Sequence, residues 1–133
     1  PTRRSSDLTG NFNFDGGKQV MKNFLNTKNR KVNMVFAQND DMALGAIDAI
    51  KDDGLIPGKD IIVIGIDATR QALLSIKEGE MYSTVECNPL LGPQLLKTAN
   101  QIMEGVEVPL KIVNAEDVFT KTISAKQINN RKY

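Results

Sequence analysis

The amino-acid sequence predicts an α/β chain built on a parallel sheet wound by helices on both faces. Three observations carry that reading. Segments with helical periodicity alternate with short apolar runs through most of the 133 residues. The longest such run, residues 61–66, is apolar throughout and β-branched at five of six positions. A strand with no polar alternation is buried on both faces, as in a parallel sheet. Glycines also stand just past three of the helical segments, at Gly54, Gly79 and Gly105, where a left-handed residue ends a helix.

Residues 15–29 read as the first helix, with Val20, Met21, Phe24 and Leu25 on one face of a 3.6-residue period. The Gly16–Gly17 pair weakens its first turn. Residues 32–37 are a short apolar run, expected as a buried strand. Residues 40–53 form the next helix, with Asn39 or Asp40 as its N-cap and Met42, Ala46, Ala49 and Ile50 as its apolar stripe. A Pro57–Gly58 turn leads into the strand 61–66. Residues 69–78 are a helix with Leu73 and Ile76 on one face, and residues 82–85 a third strand. Residues 90–104 are a helix with Pro93 in its first turn and Leu95, Leu96, Ala99, Ile102 and Met103 expected inward. Residues 110–113 and 117–120 are weaker strands, and Ser124 caps a short polar tail, 125–133. The order αβαβαβαββ with a closing helix belongs to doubly wound sheets, except that no strand precedes the first helix.

Residues 1–8, from Pro1 to Leu8, share none of this periodicity. All eight match the in-frame translation of a common sequencing adapter, and they are expected to be a non-native segment. The native chain is then expected to be cut upstream of Thr9.

Composition excludes several chemistries. The chain has no His, which removes Ser-His-Asp and Cys-His nucleophile systems and His-ligated metals. Its one cysteine, Cys87, allows neither an intrachain disulfide nor a zinc cluster. A formal charge of +1 gives no nucleic-acid footprint. No glycine-rich phosphate loop is present, so no nucleotide cofactor is expected, and the run 61–66 is far too short to span a bilayer.

In open parallel sheets ligands bind beyond the carboxyl ends of the strands. The residues there are Gln38, Asn39, Asp40 and Asp41 after the first strand, Asp67 after the second, and Glu86, Cys87 and Asn88 after the third. Asp40 and Asp41 could equally serve as helix caps. Asp67 is less easily explained that way, because Thr69 can cap the helix that follows. A carboxylate and a carboxamide facing one cleft suit a polyhydroxylated ligand, since Asp accepts from hydroxyls and Asn both donates and accepts. Phe12 and Phe14 lie in the polar loop before the first helix. An aromatic face there can stack on a sugar ring, or both rings can pack under the loop.

The stretch 35–46, reading VFAQNDDMALGA, closely resembles the signature of ribose/galactose-type sugar-binding proteins of ABC importers. The resemblance extends through Phe12, Pro57–Gly58–Lys59–Asp60, the Ile-Gly-Ile-Asp run at 64–67, Lys77–Glu78–Gly79 and 85–89, and covers residues 9–133. Within the family it is most similar to the galactofuranose-binding subgroup, through residues 39–42, Val85–Glu86 and Gly92–Pro93.

The resemblance implies a type I periplasmic-binding-protein fold, in which two α/β lobes joined by three crossings close on a sugar. It implies that residues 9–86 are most of the C-terminal lobe, 87–89 a hinge crossing, 90–116 part of the N-terminal lobe, and 117–133 a crossing back with the tail. The N-terminal lobe is then mostly missing, so the 90–104 helix is expected to lack its packing partners and to expose its apolar stripe. Phe12 falls at the family's stacking aromatic, and Asn39 and Asp67 at its sugar-hydroxyl ligands. Cys87 stands where ribose binders carry a polar hinge ligand, usually Gln, and Glu86 is the neighbour that could substitute. Ala68 stands where Gly is usual.

The function so implied is capture of a monosaccharide outside the cytoplasmic membrane and delivery to an ABC permease by a protein that is a monomer when intact. It needs no cofactor and no catalysis. One rival is the effector domain of a sugar-responsive transcriptional repressor of the same fold, which an upstream helix-turn-helix would reveal. The other is a doubly wound enzyme or phosphorelay domain using Asp67. It lacks both a phosphate loop and a second carboxylate placed to hold Mg²⁺ against Asp67.

Overall fold

A computed structural model of the chain describes residues 8–27 and 32–133. The adapter-like segment therefore lies outside the described residues except for Leu8, as do positions 28 and 29 of the first expected helix. In chain order the elements are α1 (Phe14–Leu25), β1 (Met34–Phe36), α2 (Asp40–Asp52), β2 (Ile62–Asp67), α3 (Arg70–Glu78), β3 (Ser83–Glu86), α4 (Gly92–Met103), β4 (Val118–Thr120) and α5 (Ala125–Asn130). One sheet has the order β1-β2-β3-β4. Its first three strands are parallel, and β4 pairs antiparallel with β3.

Local chemistry sets the helix ends. Asn13, Asn39, Thr69 and Ser124 each take an N-cap position and accept a backbone N–H from the first turn of the following helix. Gly79 ends α3 at φ +84°, which only glycine adopts without cost.

The core lies between the sheet and α2 and α3. Ile50, Ile61, Val63, Leu73 and Ile76 are fully enclosed there. Val63, Gly65 and Thr84 point to this side, and the space beside Gly65 is filled by Asp40 and Ala43 of α2. Helix α1 packs on α2 with near contact of backbones. A Cβ on Gly45 would collide with the Phe14 carbonyl and the Lys18 amide, and one on Gly17 with the Met42 backbone. The first-turn glycine that weakens α1 in isolation is therefore required by its packing. Gly45→Ala is expected to destabilise the chain by about 1–3 kcal/mol, seen as a lower urea midpoint at unchanged slope.

The α/β class and the mostly parallel sheet are as expected. Among the described residues, helices cover one face of the sheet. The register pairs Met34–Ile62, Phe36–Ile64, Ile66–Val85 and Val85–Val118 carry apolar side chains on the second face. Met34, Phe36, Val85 and Val118 there are all exposed. The run 61–66 is thus apolar on both sides, as expected, but among the described residues only one side has a cover. As expected of the 90–104 helix, α4 buries none of its residues, and its apolar stripe of Leu95, Leu96, Ile102 and Met103 is solvent-exposed. One expectation is corrected: residues 110–113 form no strand. Leu110 and Val113 are exposed, and no described strand lies beside them to complete a ladder.

Candidate functional site

The carboxyl ends of β1, β2 and β3 bring four of the five expected residues into one linked group. Asn39 caps α2, its Oδ1 accepting from Met42 N at 3.0 Å. Its Nδ2 donates to the Phe12 carbonyl at 3.1 Å. That bond holds a turn in which Asn11 and Phe12 both have positive φ, 53° and 52°. The turn leaves the Phe12 ring 63% exposed, so it does not pack under the loop, and Phe14 is 41% exposed. Asn39 still has one amide hydrogen and one oxygen lone pair for a ligand.

Asp67 ends β2 and faces the backbone N–H of Asp40 at the start of α2. Burial raises its pKa, the Asp40 N–H opposes that rise, and the Asp41 charge adds to it. The backbone is strained, with φ at 119° for Asp67 and 60° for Ala68. Each such non-glycine residue costs of order 1 kcal/mol and persists only where its surroundings over-determine it. Ala68 has no side chain that could bond its own backbone in that conformation. Cys87 is exposed on the rim, and its N–H reaches the Asp67 carbonyl at 3.4 Å.

Glu86, the fifth expected residue, is occupied elsewhere. Its Oε1 accepts from Arg131 Nη1 and from Tyr133 Oη (2.6 Å), and its Oε2 from Asp117 N (3.1 Å). The Arg131 guanidinium stacks on Phe119 at 4.6 Å and on Tyr133 at 4.9 Å, and both charged side chains are about 10% exposed. Burial opposes ionisation of Glu86, but the Tyr133 and Arg131 donors outweigh it and its pKa falls below normal. Burial and the Glu86 carboxylate push the Tyr133 phenol up to about 12.

Asp40 is one of two residues, with Asp41, whose role the sequence leaves open between ligand and helix cap. It is completely buried, and it is not the cap of α2. Its Oδ1 accepts from Thr84 Oγ1 at 2.7 Å and its Oδ2 from Thr69 N at 2.7 Å. Ala68 N in turn donates to Thr84 Oγ1 at 3.2 Å. The available signals were a glycine inside an otherwise β-branched strand, which marks close approach by another group, and a threonine within a buried one. Arg131 and Tyr133 were missed because the tail has no periodicity to place it.

Desolvation raises the Asp40 pKa to about 6, against the pull of its Thr84 and Thr69 donors, and the Asp67 charge adds to the rise. The folded protein then binds this proton more tightly than the unfolded chain does. The Asp40 contribution therefore becomes more favourable as pH falls from about 7 towards 4. Glu86, with a depressed pKa, acts oppositely and loses stabilisation at lower pH. A ¹³C carboxyl titration is expected to place the Asp40 midpoint near pH 6 and that of Glu86 below the usual range.

Among the described residues no group of three His, Cys, Asp or Glu side chains is placed to hold a metal, and no helix is long and apolar enough to cross a membrane. The arrangement can accept and donate hydrogen bonds and stack a ring. It has no nucleophile paired with a base.

Comparison with known proteins gives consistent matches. A family model described as "Periplasmic binding protein domain" matches residues 4–107. The galactofuranose-binding protein YtfQ of Escherichia coli is 32% identical over 126 residues, covering 93% of this chain and 40% of that protein. The ribose import binding protein RbsB of Bacillus subtilis is 39% identical over 118 residues, covering 84% and 36%. Among solved structures, the periplasmic binding component of the arabinose ABC transporter from Shewanella sp. ANA-3, bound to α- and β-L-arabinofuranose, superposes with a TM-score of 0.86. It is 33% identical, over 96% of this chain and 43% of that one. The chain thus spans about 40% of the length of these relatives.

Proposed function

The chain belongs to the periplasmic binding protein family, and from that premise we propose that it forms part of the sugar-binding component of an ABC importer. It is a binding protein and not an enzyme, working outside the cytoplasmic membrane and handing its sugar to a membrane permease. The sugar is a monosaccharide in furanose form, as suggested by the galactofuranose and arabinofuranose named for two of its relatives. Phe12 stacks on the sugar ring, Asn39 and Asp67 bond its hydroxyls, and Cys87 lines the rim. Glu86 serves the fold instead.

One observation carries this reading. Asn39 holds the Phe12 turn, with its ring exposed, beside a strained Asp67 at the ends of adjacent parallel strands. A ring face, a carboxamide and a carboxylate make a set for C–H stacking and hydroxyl bonding. Calorimetry on the complete protein with L-arabinose, D-galactose and D-ribose tests it. Saturable binding of at least one is expected, with the sugar recovered unchanged. Absence of binding to all three, or turnover of any, counts against it. The 133-residue chain alone is expected to show no measurable heat, because closure of two lobes supplies the other half of the contacts.

A further inference from the structure

The Asp67–Ala68 turn is held from behind by a small network. The Asp40 carboxylate leaves the first turn of α2 and crosses β2 where Gly65 provides the room. It ends between β3 and the start of α3, with Oδ1 on the Thr84 hydroxyl and Oδ2 on the Thr69 amide, each at 2.7 Å. The Thr84 hydroxyl has two bonds, donating to Asp40 and accepting from Ala68 N at 3.2 Å. The two amides that follow Asp67 in the chain are therefore both fixed by one buried pair of side chains. Asp40 and Thr84 are each fully enclosed and touch no solvent themselves.

Helix capping does not account for Asp40. Asn39 already caps α2 and Thr69 already caps α3 through its own hydroxyl. A buried carboxylate is costly unless fully bonded. Here its partners are the atoms that hold two successive non-glycine residues at positive φ. We infer that Asp40 and Thr84 are positioning residues of the sugar site: together they lock the left-handed turn at Asp67–Ala68 and so set the direction in which Asp67 presents its carboxylate. This rests on the assignment of Asp67 as a sugar ligand. Neither Asp40 nor Thr84 touches the sugar. They supply pre-organisation, which improves affinity by removing an ordering cost from the binding step.

The test is calorimetric titration of the complete protein with whichever of L-arabinose, D-galactose or D-ribose it binds, with melting temperature measured in parallel. Thr84→Val keeps the shape and removes the hydroxyl. It is expected to weaken binding at least about ten-fold, or 1.4 kcal/mol. Thr84→Ser restores the hydroxyl and is expected to recover most of that loss although it lacks the buried methyl. Asp40→Asn, which keeps size and loses charge, is expected to weaken binding and to shift the Thr69 amide proton upfield. It also covers the case in which Thr84→Val does not fold. Equal losses in the Val and Ser variants, following melting temperature alone, would overturn the proposal. So would wild-type affinity in both Thr84→Val and Asp40→Asn while Asp67→Ala abolishes binding. Wild-type affinity in Asp67→Ala would instead remove the sugar-site reading on which the proposal stands.

Discussion

Asp67→Ala in the complete protein is expected to weaken sugar binding by at least about a hundred-fold. A carboxylate accepting from two sugar hydroxyls makes two charge-assisted bonds, each worth about 1.5–3 kcal/mol. Their joint loss moves a dissociation constant by two or more decades. The position of Asp67 makes the substitution informative. It sits at the end of β2, its carbonyl accepts from Cys87 N, and its backbone φ of 119° is imposed by neighbours. The alanine variant is expected to fold, because Thr69 still caps α3 and the Asp40 network is untouched. A dissociation constant close to wild type would mean that the sugar lies elsewhere.

The second large effect concerns stability. Arg131→Ala is expected to cost about 3 kcal/mol or more, because it strands the Glu86 carboxylate at about 10% exposure with one strong donor removed. The stacking of the guanidinium on Phe119 and Tyr133 is lost at the same time. Glu86→Gln is expected to cost less, because a carboxamide oxygen can still accept from Arg131 and Tyr133. Chemical denaturation of the three proteins separates these outcomes. Equal midpoints for wild type and Arg131→Ala would show that the cluster contributes nothing. Calorimetric sugar titration of Glu86→Gln in the complete protein tests Glu86 as a ligand separately, and affinity near wild type is expected.

The order of elements was legible because each carries a local signal. The period of α1, the unbroken β2 and the caps at Asn39 and Thr69 are all readable within a few residues. The candidate site residues were nameable for the same reason, since Asn39, Asp67 and Cys87 stand at, or within three residues of, the carboxyl end of a strand. What escaped is non-local. The bond from Asp40 to Thr84 spans 44 positions and that from Glu86 to Arg131 spans 45. No period or spacing in the sequence encodes either pairing. The stripe of α4 is legible as apolar from its period alone, while its exposure follows only from the family resemblance and not from the stripe itself. Strand direction has the same limit. Residues 118–120 have strand composition, and only the path of the chain after α4 makes β4 antiparallel to β3.

The tail is also the last part of this sequence to be synthesised. β4 completes the ladder beside β3, and Arg131 and Tyr133 close over Glu86, while the Tyr133 carbonyl accepts from the first amide of α3 at 2.7 Å. Until residues 118–120 have cleared the ribosome the outer edge of β3 remains unpaired, and until Arg131 has done so Glu86 is a carboxylate without its cation. Elements α1 to α3 can assemble on the nascent chain from contacts between neighbours. The sheet cannot be sealed then, so ribosomes stalled before residue 118 should carry a β3 that is protease-sensitive, unlike β3 in the released chain.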